Sequence, residues 1–199
     1  MRTIGLTGSI ACGKSNVSAT LKELGAVIID GDLLSRELTA PGGLALPAIR
    51  EAFGDAVFLP DGTLNRRALG SAIFGHDEAR ARLDAIMHPL VIFLTRQRMA
   101  EARKAGADLC VLDMPLLFET GMEKLCDAVW CVWLPREIQL ERLMARDGFT
   151  REEAEARLRS QLSADEKASR ADVVIDTSGS IEYTKSMIPA LYAKEIAQA

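Results

Sequence analysis

The 199-residue chain has no uninterrupted apolar stretch near the roughly 18–20 residues that span a bilayer, so a membrane-spanning helix is excluded. It has no C-x-x-C pair. Its four cysteines (Cys12, Cys110, Cys126 and Cys131) are scattered, and two sit inside apolar runs. Neither a zinc site nor a disulfide framework follows, and a reduced intracellular setting is expected. A basic excess is also missing: the net charge is −4, which argues against a general nucleic-acid binder. No Asn-Lys pair occurs, so the guanine-reading N-K-x-D element of a GTPase-type switch is absent. There is no internal repeat and no low-complexity tract. The opening MRTIGLTGSIACGKS has a short apolar part whose Lys follows it, unlike a signal peptide, and a cytoplasmic protein is expected.

What is present is a globular balance, with 48% hydrophobic and 26% charged residues. The length suits one domain carrying insertions better than two independent domains. Arg outnumbers Lys, 17 to 7. Arg suits bidentate phosphate recognition, but a codon bias explains the excess equally well.

Five continuously apolar runs read as buried strands of a parallel sheet: residues 3–7, 26–30, 109–113, 128–134 and 173–176. Helical patterns separate them. Val17, Leu21 and Leu24 recur at helical spacing before Gly25, Pro135 suits a first helical turn, and Ser180 suits the cap of a last helix towards Lys194. The alternation predicts a doubly wound α/β sheet with ligands at the carboxyl ends of its strands. Two connections, 31–107 and 135–170, far exceed the dozen or so residues of a plain crossover. The first reads as mostly helical, with a Pro-Gly-Gly break at 41–43, a hairpin turn at Asp61-Gly62 and helices near 65–74, 77–87 and 89–105. The second reads as an Arg/Glu-rich helical hairpin with capping-box patterns Thr150-x-x-Glu153 and Ser163-x-x-Glu166. Insertions at this edge suit a substrate-holding lobe and a lid that opens and closes.

The strongest chemical signal is Gly8-Ser9-Ile10-Ala11-Cys12-Gly13-Lys14-Ser15, a complete G-x4-G-K-S phosphate loop between a strand and a helix. Gly8 and Gly13 let backbone N–H groups face phosphate oxygens at a helix N-terminus. Lys14 reaches the β- and γ-phosphates, and the Ser15 hydroxyl takes one Mg²⁺ position. Asp30-Gly31-Asp32 ends the second strand. In an extended segment both carboxylates share a face, and one is a natural general base for an acceptor hydroxyl; a helix cap near Leu33 is the plainer alternative. Asp113, ending the third strand, is placed to hold the Mg²⁺ shell unless it is only structural. Arg142 and Arg146 lie on one helix face and suit phosphoryl charge, with pairing to Glu141 and Asp147 as the alternative. His88 before Pro89 suits an N-cap. Core packing is the default for Trp130. Cys12, at a helix N-terminus beside Lys14, is expected to favour its thiolate and to be the reactive cysteine, with an inert small residue as the plainer alternative.

GLTGSIACGKS, VIIDGDLLSREL, PDGTLNRRAL, IMHPLV, VLDMPLLFE, QLERLMARDG and the late Gln161…Lys167…ADVVID occur in this order and together resemble the dephospho-coenzyme A kinases. The resemblance implies ATP-dependent phosphorylation of the 3′-hydroxyl of dephospho-CoA. It implies a three-layer α/β/α P-loop NTPase with a five-stranded parallel sheet. Residues 1–33, 105–135 and 170–199 would form the core, 34–104 a helical acceptor-binding insertion and 136–169 the lid. By this similarity Asp32, Lys14 and Arg146 are catalytic. Gly8, Ala11, Cys12, Gly13, Lys14, Ser15, Asn16 and Arg142 bind ATP. Asp32, Arg66, His88 and Leu116 bind the acceptor, and Ser15 and Asp113 hold Mg²⁺. A monomer without nucleic-acid or membrane partners is expected. The family's loop is usually G-G-I-G-S-G-K-S-T, so Ser9, Ala11, Cys12 and Asn16 depart from it; the Asn16 NH₂ can donate where a hydroxyl is usual. Thr177 stands where the family often has Asn. A nucleoside monophosphate kinase on the same core is the nearest rival.

Overall fold

The computed structural model describes residues 1–198. The apolar runs form β1 (Arg2–Gly8), β2 (Val27–Asp30), β3 (Leu109–Asp113), β4 (Ala128–Trp133) and β5 (Val173–Asp176). All pair in parallel, in the order β2-β3-β1-β4-β5. Strands covered on both faces are near-continuously apolar, and β3 is buried at every residue, including the Asp113 that ends it. Four ends differ from expectation: β1 runs one residue further each way, and β2 and β4 are each one residue shorter. β2 starts at Val27 because the Ala26 N–H instead bonds the Leu21 carbonyl, closing the turn after the first helix (3.0 Å). β4 ends at Trp133, before Leu134 and the N–H-less Pro135.

The chain divides into two compact units. One comprises Met1–Asp30 and the chain from Met99 onward; its core gathers Ile4, Leu6, Leu21, Val111, Trp130 and Ile188 around the sheet. Helices α1 (Lys14–Glu23) and, last in the chain, Ile181–Ile196 pack together over it. Val17 and Leu21 supply the buried stripe of α1, and Gly25 leaves it at φ 102°. Ser180 caps the last helix by accepting the Tyr183 N–H (3.1 Å). The buried Trp130 N–H donates to Glu195 (3.1 Å), which also pairs with Arg2 (2.5 Å), so that carboxylate is not stranded.

The other unit, Gly31–Arg98, carries α2 (Gly31–Leu38), α3 (Leu46–Phe53), α4 (Arg66–Ile73) and most of α5 (Asp77–Lys104). The turn at Asp61-Gly62 is there. Phe58 and Leu64 form an antiparallel bridge, Gly62 has φ 82°, and Asp61 accepts from the Thr63 N–H and hydroxyl (2.9 and 2.7 Å). The helices expected at 77–87 and 89–105 are instead one: α5 runs 28 residues with Pro89 inside. An interior proline costs about 3 kcal/mol in an isolated helix. Here Leu83, Met87, Leu90 and Leu94 continue one partly or fully buried stripe across it, and Pro89 sits on the exposed side. Burial outweighs the missing hydrogen bond.

In the first unit the second insertion is three helices, not a two-helix hairpin: α6 (Arg136–Asp147), α7 (Arg151–Leu158) and α8 (Ala164–Ser169). The last helix, Ile181–Ile196, is therefore α9. The Thr150 capping box forms in full, whereas Ser163 supplies one half, accepting the Glu166 N–H (3.1 Å). Leu140, Leu143, Ala154 and Leu158 bury one another between α6 and α7. Among the described residues no helix is long and apolar enough to cross a membrane.

Candidate active site

The phosphate loop leaves the central strand β1 at its carboxyl end and turns into α1. β1 stands at the switch point of the sheet, with β3 on one side and β4 on the other, where such folds hold ligands. Gly8 is demanded by packing, since a Cβ there would come within 2.7 Å of the Val132 carbonyl. Gly13 caps α1 at φ 82°. Ala11, at φ 62°, is the one non-glycine with positive φ among the described residues; for an alanine that conformation costs about 1–2 kcal/mol. Left-handed residues alternating with an ordinary one, as Ala11 and Gly13 do around Cys12, turn their amides to one side, the geometry of an anion nest.

The loop is braced from outside. The Gln139 side chain of α6 donates to the Ile10 carbonyl (2.6 Å) and the buried Thr177 hydroxyl to the Cys12 carbonyl (2.8 Å). Ile10 and Ala11 pack against the Leu140–Leu158 cluster. Two peptide planes are thereby held in orientation by side chains from outside the loop.

Lys14 forms an ion pair with Asp113. Asp113 is nearly fully buried and stands in register with Asp30 across β2 and β3. Ser15 follows, exposed, and Asn16 is half-buried in the same turn. Arg142 donates to the Thr177 carbonyl (2.8 Å). Arg146 makes a bidentate pair with the adjacent Asp147 (2.8 and 2.9 Å), and that bond raises the Arg146 pKa and lowers that of Asp147. The alternative partner weighed for Arg146 is thus realised. An exposed pair of neighbours is weak, so the guanidinium can be drawn off by a phosphate.

The acceptor candidates fall in both units. Leu116 lies in the turn after β3, with 37% of its surface exposed. Asp32, Arg66 and His88 belong to the second unit. Arg66 opens α4 and donates to the Thr39 hydroxyl just past α2 (2.8 Å). His88 is not an N-cap: it stands mid-helix on α5, its Nε2 3.7 Å from Asp84. Asp30 and Asp32 do not share a strand face as expected, because β2 ends at Asp30 and Asp32 is in the first turn of α2. A helix beginning at Gly31 rotates the second carboxylate away from strand alternation.

Cys12 corrects another expectation. It is 2% exposed, and burial pushes its thiol pKa up, only partly offset by the Lys14 N–H and charge. Burial also lifts Cys110 to about 11 and Cys126 and Cys131 to about 12. With every thiol pKa raised, thiolate is scarce at neutral pH. Alkylating reagents at pH 7 are therefore expected to label Cys12 in the native protein no faster than the strand cysteines, with or without ATP. Rapid, ATP-protected labelling, followed by mass spectrometry, would contradict this burial.

Many nucleotide-binding proteins share such a loop; what narrows the class is the strand order around it, the buried Asp113 on its lysine and the arginine-bearing helices that brace it. These features define a P-loop phosphotransferase. Residues 2–183 match the family model for dephospho-CoA kinase, and the chain belongs to that family. It is 48% identical over 194 residues to the dephospho-CoA kinase of Geobacter sulfurreducens, covering 98% of both chains. Among solved structures it is similar to TT1252 from Thermus thermophilus (36% identity, TM-score 0.79, 97% of each chain). It also resembles the dephospho-CoA kinase of Campylobacter jejuni (26% identity, TM-score 0.67, 100% of this chain and 98% of that one).

The sequence alone gives no role to Gln139 or to Glu119, and none as a brace to Thr177. Their partners lie 129, 48 and 165 residues away, beyond any spacing rule. The available signal was local only: Gln139 is an uncharged polar residue flanked in sequence by Ile138 and Leu140.

Proposed function

We propose that the protein transfers the γ-phosphoryl group of ATP to the 3′-hydroxyl of dephospho-CoA, the final step of coenzyme A synthesis. The family match over residues 2–183 carries this reading. The transfer is in line and needs little covalent help, so positioning and charge do most of the work. Amides of Gly8 to Lys14 cradle the phosphates. Lys14 turns from Asp113 to the β- and γ-oxygens, and Arg142 and Arg146 balance charge from the helical lid, 136–169. Asp32 accepts or orients the hydroxyl proton, with Arg66, His88 and Leu116 on the acceptor side and 34–104 as the acceptor-binding insertion.

Ser15 and Asp113 offer hard oxygen donors, the type Mg²⁺ takes. Among the described residues no group of three or more His, Cys, Asp or Glu could hold a metal. Held by Ser15 and Asp113, Mg²⁺ would supply charge neutralisation. We place the enzyme in the cytoplasm as a monomer without nucleic-acid or membrane partners.

An ADP-release assay with dephospho-CoA beside AMP, CMP and UMP tests the substrate. Turnover is expected with dephospho-CoA alone; equal or faster turnover with a nucleoside monophosphate would transfer the chain to the rival class.

A further inference from the structure

We propose that Lys167 is a positioning residue for the acceptor side of this reaction, acting through the turn at 114–119 that follows β3. The proposal rests on the kinase reading above. Lys167 is wholly buried on α8, which packs against β1 and β4. Its ammonium donates to the Pro115 carbonyl and pairs with Glu119 Oε1 at 2.9 Å. That same carboxylate oxygen accepts the Leu162 N–H (3.0 Å), and the Pro115 carbonyl also accepts the Thr7 hydroxyl from β1 (3.2 Å). One cation thus ties the return of the helical insertion, the turn after β3 and the strand feeding the phosphate loop.

Filling space does not explain this choice. Taking an ammonium out of water costs several kcal/mol unless pairing and hydrogen bonds offset it, and an alkyl side chain of like volume packs as well. What an alkyl chain cannot do is orient a backbone carbonyl. The oriented segment begins one residue after Asp113, the partner of Lys14. Within it Leu117 and Phe118 are buried while Leu116 is turned outward, 37% exposed. Arg170, one residue past α8, lies 4.2 Å over the Phe118 ring and holds the same turn a second time. Lys167 therefore governs how Leu116 is presented, while the phosphate loop keeps its own braces at Gln139 and Thr177. The acceptor should feel its loss before ATP does.

The test compares KM for dephospho-CoA, KM for ATP, kcat and Tm in wild type, Lys167→Met, Lys167→Met/Glu119→Gln and Thr7→Val. Lys167→Met should lower Tm and raise KM for dephospho-CoA about tenfold or more, the effect of a lost charge-assisted hydrogen bond, with KM for ATP little changed. The double variant removes the stranded carboxylate charge, so Tm should recover while the raised KM persists. Thr7→Val keeps volume and charge but deletes one bond to the Pro115 carbonyl, and should raise the same KM by a smaller factor. A double variant with native KM for dephospho-CoA, or with both KM values raised alike, overturns the positioning role. If neither Lys167 variant folds, an unchanged KM in Thr7→Val overturns it. Wild-type turnover with dephospho-CoA is the separate control, since its absence refutes the substrate and not the clamp.

Discussion

Asp32→Asn is expected to lower kcat with dephospho-CoA by about 10²–10⁴, the usual cost of removing a general base, while KM for ATP stays near native. The substitution keeps size and shape and removes only the charge and the proton-accepting oxygen. Asp32 is in the first turn of α2, where a carboxylate also favours the helix by about 0.3–1 kcal/mol, so Tm should fall only slightly. Asp30→Asn is the control. Asp30 closes β2 and stands in register with Asp113, so its loss should disturb the charge around Lys14 and weaken ATP binding more than it slows the transfer. Steady-state kinetics with each substrate varied separates the two carboxylates. Near-native kcat in Asp32→Asn would remove the assigned base and leave positioning to carry the reaction.

Lys14→Ala should fail in two distinguishable ways. Losing a cation that follows phosphate charge into the transition state should cost kcat about 10²–10³-fold, as removal of one preorganised donor does elsewhere, and weaken ATP binding too. The second effect comes from the ligand-free protein, where Lys14 is the ion-pair partner of the buried Asp113. Stranding a buried carboxylate costs about 3–5 kcal/mol, so Tm should drop before any nucleotide is added. Lys14→Ala/Asp113→Asn should recover most of that stability and none of the activity. A single variant with native Tm would mean that water already screens the pair.

How much of this was legible depended on sequence distance. The G-x4-G-K-S loop was readable because its demands are local: a strand, two glycines, a lysine and a helix within one turn of chain. The Thr150 box and the Ser180 cap were legible for the same reason, as each bond spans three residues. Pro89 misled because local propensity says a helix ends there, and only the stripe from Leu83 to Leu94 says that it continues. Asp32 misled because two carboxylates two apart read as a strand pair when the strand stops between them. Cys12 misled because motif context supplies the positive charge but not the burial that counters it.

By itself, then, the sequence determined the five strands, the phosphate loop between the first strand and helix, and the family, since continuous apolar runs and short motifs carry their own geometry. Only the tertiary structure decided which charges meet. Lys14 finds Asp113 across 99 residues, Arg142 finds the Thr177 carbonyl across 35, and Lys167 finds the Pro115 carbonyl across 52. Whether a charged side chain is solvated, paired or clamped depends on what packs over it, and that depends on folded layers brought together from distant parts of the chain.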